Sequence, residues 1–307
     1  YLFFNKNIFF SKIFSIKILI KKLFKEFYVF SSPLFVFNII SITTGLFDIW
    51  LLQTMAGSEQ VGYYGLSYSI AAMCFLFTSA MTPIITREFA KLYENNNINE
   101  IKKLFSKYIP MLYSIATYFG VFIAFQSANV IEIFTDEKFK EAYLVLTIMA
   151  FYPIHQTYGQ LSGSMLYVTG NTKLVRNIGV FTSLIGLGIT ILLLYVINLE
   201  AVGLGIKMVI IQIISVNIQL YFNSKYLKLN FMKYIYHQVV AILFFVSIAY
   251  LSNILVYTQH SLLTELLLSG FIYTILVTIG VYFLPNIFGL TRTDISRFAK
   301  FSITRNK

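Results

Sequence analysis

Apolar runs of about 18 residues or more recur along the whole of this chain, and each can carry a helix across a hydrocarbon core of about 30 Å. Inside hydrocarbon every backbone N–H and C=O needs an internal partner, which a helix supplies and an open sheet does not. The runs therefore predict an all-α polytopic membrane protein of about eight transmembrane helices, at about 31–53, 61–86, 108–128, 142–168, 174–197, 200–222, 235–256 and 263–285. Of the 307 residues 57% are hydrophobic and only 12% charged, too few charges to cover a soluble domain. No gap between runs is long enough for a folded soluble domain.

The net charge is +11, and its distribution explains it. Lys6, Lys12, Lys17, Lys21, Lys22 and Lys25 precede the first run. Gln53 to Gln60 carries no Lys or Arg. Arg87, Lys91, Lys102, Lys103 and Lys107 fill the next gap, and Lys138 and Lys140 in the one after are offset by Glu132, Asp136, Glu137 and Glu141. Lys173 and Arg176 follow, then a gap without basic residues at Asn198 to Glu200. Lys225, Lys228 and Lys233 come next, then Ser252 to Glu265 without any, and the tail has Arg292, Arg297, Lys300, Arg305 and Lys307. Basic gaps mark the cytoplasmic side. The alternation predicts an even number of passes with N and C termini both cytoplasmic. Residues 1–30 read as an amphipathic helix on the inner surface, with Lys17, Lys21 and Lys25 at helical spacing, and Ser31-Ser32-Pro33 reads as the start of the first span.

The basic balance belongs to orientation, since no stacking-plus-basic module for nucleic acid is present. The single Cys74 excludes a disulfide framework and a cysteine metal site; no metal and no cofactor are expected. Phosphate-binding loops, dinucleotide fingerprints, HExxH and nucleophile elbows are absent, so no catalytic residue is assigned and no enzyme is expected.

Charges and polar groups inside the runs are the candidate functional residues, because hydrocarbon makes them costly. Asp48 and Lys207 lie at similar depth from the outer surface, about 7–8 Å and about 10 Å by helical rise. They either pair, or stay separate with Lys207 free to attract an anionic group; snorkelling of Lys207 and interfacial hydration of Asp48 beside Trp50 are the plain alternatives. Arg87, after Pro83 at the inner end of the second run, suits a diphosphate through its bidentate fork, or serves as an orientation anchor next to Glu88. His155, behind Pro153, is a proton-relay or sugar-contact candidate, or a neutral packing residue. Gln156 and Asn38, with Gln212, Asn217 and Gln219, add polarity to a possible cavity. Gly159 and Gly163 form a GxxxG pair expected to bring helices close, and Pro153 is expected to kink its helix.

The order of several motifs resembles the Wzx-type polysaccharide flippases of the multidrug/oligosaccharidyl-lipid/polysaccharide exporter superfamily. They are Ser32-Pro33-Leu34 through Asp48-Ile49-Trp50, Gly57-Ser58-Glu59-Gln60-Val61-Gly62-Tyr63-Tyr64, Thr82-Pro83 with Arg87-Glu88-Phe89-Ala90-Lys91, and Phe134-Thr135-Asp136-Glu137-Lys138-Phe139. Gly170-Asn171-Thr172-Lys173 and Ala201-Val202-Gly203-Leu204-Gly205 continue the series. The resemblance implies the C-terminal part of a longer protein: a six-helix lobe at 31–222, two additional transmembrane helices at 223–290, a basic cytoplasmic tail at 291–307, and a missing N-terminal lobe. The start at Tyr1 rather than Met fits that expectation. It implies flipping of an undecaprenyl-diphosphate-linked oligosaccharide across the bacterial inner membrane, with Lys207 and Arg87 as anion contacts and Asp48 as ion-pair partner or coupling site. The expected partners are the lipid-linked oligosaccharide and the bilayer. A multidrug antiporter of the same superfamily, a membrane glycosyltransferase or polymerase, for which an outer-loop catalytic cluster is lacking, and a non-transporting partner of polysaccharide enzymes are the other readings.

Overall fold

The structure is a computed structural model that describes residues 4–256 and 261–294. The described residues form helices and turns without a strand. In chain order they are α1 (Phe4–Met73), α2 (Leu76–Glu94), α3 (Ile98–Phe125), α4 (Ser127–Phe134), α5 (Ala142–Met149), α6 (Tyr152–Val168), α7 (Thr172–Thr190), α8 (Glu200–Tyr226), α9 (Phe231–Leu255) and α10 (Leu262–Phe283).

α1 is two rods, not one. Gly57 breaks it with φ 86° and ψ 174°, a backbone region that residues with a Cβ avoid. Side-chain partners give the directions of the two arms. Phe37 lies on Gly179 and Asp48 on Thr190, so the first arm runs parallel to α7. Beyond Gly57, Thr78, Thr82 and Thr86 meet Thr157, Gln160 and Ser164 in that order, so the second arm and α2 run parallel to α6. α6 and α7 are antiparallel neighbours, so the chain reverses at Gly57.

The remaining elements follow suit. α3 opposes α6, with Tyr113 at Tyr158 and Gly120 at Ala150. α6 and α8 are parallel through Gln156–Gln212 and Ser162–Asn223. α9 runs with α3, from Lys102 near Lys228 to Gln126 at Asn253, and α10 runs against it, from Gly270 at Phe122 to Ile287 at Ser114. Among the described residues the eight helical segments at the expected spans therefore alternate in direction. Their basic connectors gather at one end: Lys22 and Lys25 share a cavity with Lys173, and Lys103, Lys107 and Lys233 share another.

Among the described residues six stretches are long and apolar enough to cross a membrane as continuous helices: Ile20–Met73, Ile98–Phe125, Thr172–Val196, Glu200–Tyr226, Phe231–Leu255 and Leu262–Phe283. The expected count of eight differs for two physical reasons. The first stretch carries the first pass and the first half of the second in a helix hinged at Gly57. The pass at 142–168 is broken into α5 and α6 at Ala150–Phe151, just ahead of Pro153, which has no N–H to bond the carbonyl four residues earlier. Gly120 makes the break packable, because a Cβ there would stand 2.6 Å from the Ala150 carbonyl oxygen. A second break, at Cys74–Phe75, separates α1 from α2. The expected kink at Pro153 is thus an interruption.

Ser31-Ser32-Pro33 is not a helix start. α1 runs through it, with Pro33 in its interior, because the Lys-, Ile- and Phe-rich residues before it form helix of their own. The pair α9–α10 is continuous with the rest: Phe245, Ile248 and Tyr273 share one core with Tyr113, Ile154 and Tyr158. Of the basic tail, only Thr291–Asp294 falls within the described residues; Arg297, Lys300, Arg305 and Lys307 lie outside them.

Candidate functional site

Asp48 on the first arm of α1 and Lys207 on α8 meet inside the bundle as a hydrogen-bonded ion pair. They are 6% and 8% exposed, so both are charges held out of water. The fold compensates each. Thr190, at the end of α7, donates its hydroxyl to the second carboxylate oxygen of Asp48 at 2.7 Å. Gly186, one turn earlier on α7, leaves room for the lysine stem, since a Cβ there would stand 3.1 Å from Lys207 Cε. Three helices thus converge on one neutral pair. An ammonium has three donors, and Asp48 is the one partner of Lys207 among the described residues.

The pair lines a cavity of about 650 Å³, within the range of about 300–1,000 Å³ common for small-ligand sites. Ser41, Thr44, Ser69, Thr182, Ser183 and Ser215 contribute hydroxyls to its otherwise largely apolar wall. A second cavity of about 420 Å³ adjoins it through the shared residues Phe37, Thr182, Gln212 and Ser215. This second space is lined by Gln156, Gln160, Ser164 and Gln219, and Gln156 accepts a hydrogen bond from Gln212 between α6 and α8. The side-chain oxygen of Gln219 is buried without a partner among the described residues. Gly159 and Gly163 explain how α8 glutamines fit here: a Cβ would stand 3.0 Å from Gln212 Nε2 at the first and 3.6 Å from Gln219 Oε1 at the second. A ladder of hydroxyls along the α2–α6 seam, Thr78–Thr157 at 3.0 Å and Thr86–Ser164 at 2.8 Å, backs the same region.

The other sequence candidates lie elsewhere. His155 does not face either cavity. It is 4% exposed in the core, edge-on to Tyr113 with ring centroids 5.8 Å apart, on the α3 side of α6. Asn38 is exposed on α1 and lines no cavity described here. Asn217 bonds Gln238 of α9. Arg87 is exposed one turn beyond Pro83, which lines the second cavity, and it is not brought to Lys207.

A family model described as polysaccharide biosynthesis protein matches residues 6–144. Over that stretch, a little under half of its length, the chain is similar to the polysaccharide biosynthesis proteins. No curated protein matches it. The match agrees with the resemblance read from the motifs, and the long apolar helices agree with a multi-pass membrane protein. Asp48 and Arg87 lie inside the matched region and Lys207 outside it.

The site carries one further feature that the motifs only hint at. Tyr64, Tyr68 and Tyr152 line the cavity of the ion pair as a run of rings, with centroids 6.5 Å apart for the first two and 6.0 Å for the second step. Tyr64 and Tyr68 are four residues apart on one helix face, which is the signal that could have found them. Such a wall offers flat apolar faces and phenol hydroxyls together, the combination that suits a sugar ring.

Proposed function

We propose that this chain is the second lobe of a flippase that moves an undecaprenyl-diphosphate-linked oligosaccharide across the bacterial inner membrane, with its basic end and both termini in the cytoplasm. The observation that carries the reading is the buried Lys207–Asp48 pair opening onto two joined, hydroxyl- and amide-lined cavities at membrane depth. A saccharide diphosphate does not cross hydrocarbon unaided, because its polar groups lose their hydrogen bonds and its charge its hydration. The cavities replace those partners while the lipid tail stays in the bilayer, and the missing N-terminal lobe supplies the opposite wall. Rocking of the two lobes would expose the cavity to each side in turn.

Lys207 is the anion contact in this reading, and Asp48 is its gate. While the pair is closed its net charge is zero. A proton or a metal cation on Asp48 releases the ammonium to meet a phosphate; its departure recloses the pair and expels the anion. Thr190 holds Asp48 in place through that exchange. Arg87, exposed at the basic end, is placed to meet the diphosphate before it enters. The drug-exporter reading has less support, since a cation pump needs an acidic group free in its cavity and Asp48 is already neutralised.

The test is genetic. In cells lacking the full-length protein, the lipid-linked oligosaccharide should accumulate with its headgroup on the cytoplasmic leaflet and surface polysaccharide should be lost. The wild-type gene should restore both, and Lys207→Ala should restore neither. Full restoration by Lys207→Ala would remove Lys207 from the mechanism.

A further inference from the structure

We propose that a cavity of about 560 Å³ at the basic end of the bundle holds the phosphate headgroup of an anionic membrane phospholipid. It is separate from the ion-pair cavity and built by other elements: α3, the start of α9 and the turn that follows α10. Lys103, Ser106 and Lys107 line it from α3, Lys233 and Tyr234 from α9, and Asn286, Thr291 and Asp294 from the last turn.

The charges leave one cation over. Lys103 is held by Glu100 at 2.6 Å, and Lys107 by Asp294 at 3.1 Å. Lys233 has no carboxylate at ion-pair distance among the described residues. Asp294 is fixed away from Lys233: the Thr291 backbone N–H at 3.0 Å and hydroxyl at 2.7 Å hold the oxygen that Lys107 does not. His237 is engaged at both ring nitrogens, Nδ1 at the Tyr158 hydroxyl and Nε2 at the Ile287 carbonyl. The cavity also takes in Leu229 and Asn230 at the start of α9, where the Asn230 side chain caps the Met232 N–H at 3.0 Å and the positive end of the helix dipole favours an anion. An anion near Lys233 therefore meets one unopposed ammonium, a helix start and several hydroxyl and amide groups.

Depth selects a lipid over a soluble anion. The cavity reaches Pro110 on α3 and Tyr234 on α9, at the level where both helices leave their basic connectors for apolar sequence, which is the headgroup level of a bilayer. Its wall includes apolar Pro110, Leu229 and Leu290. The neighbouring residues Met232, Tyr236 and Phe283 are 66%, 71% and 68% exposed, apolar surface on which acyl chains can lie. Basic pockets between membrane helices recognise anionic headgroups by this combination.

The test uses the full-length protein in nanodiscs of zwitterionic phosphatidylcholine with phosphatidylglycerol added, counting by native mass spectrometry the phosphatidylglycerol retained after delipidation. Wild type should retain it and Lys233→Arg should match wild type. Lys233→Gln should lose about fivefold in retention, the effect of one lysine at a membrane surface. Asp294→Asn removes the opposing carboxylate and should raise retention, a gain that a misfolded variant does not give. Millimolar inorganic phosphate should leave the lipid in place. Equal retention by wild type and Lys233→Gln, no gain in Asp294→Asn, or displacement by inorganic phosphate would each overturn the proposal.

Discussion

Two opposite charges at membrane depth are stable only together. Removing Asp48 or Lys207 alone leaves the other uncompensated in a buried site, at a cost of about 3–5 kcal/mol. Lys207→Met should therefore lower the thermal midpoint of the purified protein strongly, and the double variant Asp48→Asn with Lys207→Met should recover most of that loss while leaving surface polysaccharide absent. Stability and transport separate in that comparison: a double variant that restores polysaccharide would show that the pair only holds helices together. Thr190→Val should cost about 1.5–3 kcal/mol, because it takes a donor from a buried carboxylate. That Asp48 and Lys207 share a depth was legible from the sequence, since helical rise fixes distance from a helix end. Thr190 and Gly186 were not legible, because nothing about a threonine or a glycine in an apolar run announces which charge it serves. His155 and Asn38 show the converse. A polar residue on a helix that is apolar all round carries no sign of the side it faces, and these two turned to the core and to the surface, not to a cavity.

At the scale of elements, the fold depends on where helices stop. Gly57→Ala puts a Cβ on a backbone with φ 86° and should cost about 1–3 kcal/mol. No atom lies within 4 Å of that Cβ, so a loss measured by thermal unfolding would come from the backbone alone. Gly159→Leu should push α8 from α6 through Gln212 and Val216, each 3.0 Å from a Cβ there, and open the polar seam. The last turn adds a pH dependence. The Thr291 backbone N–H, then its hydroxyl, then Lys107 hold the Asp294 carboxyl below its ordinary 3.8, at about 2. A carboxylate with a depressed value favours the folded state above its ordinary range and ceases to as pH falls through the depressed one. The stability difference between wild type and Asp294→Ala should thus be constant from neutral pH to about 3.8 and vanish toward about 2. The passes themselves were legible as apolar runs. The breaks at Cys74 and Ala150 were not, because each depends on a neighbour, such as Gly120 against Ala150, that sequence does not place.

On the scale of the molecule, the alternating helical segments among the described residues gather the basic connectors at one end, and that asymmetry was readable because lysine and arginine mark connectors rather than spans. With Cys74→Ser as background, a single cysteine at Lys103 should resist a membrane-impermeant thiol reagent in intact cells, and one at Lys138 should react. The reverse pattern would invert the bundle. The account stands or falls on movement of substrate past the Lys207–Asp48 pair. The direct measurement is transbilayer transfer of a lipid-linked oligosaccharide in proteoliposomes containing the full-length protein. Wild type should move the headgroup across the membrane and Lys207→Ala should fall to the rate of protein-free liposomes; equal rates for wild type and variant would contradict the account.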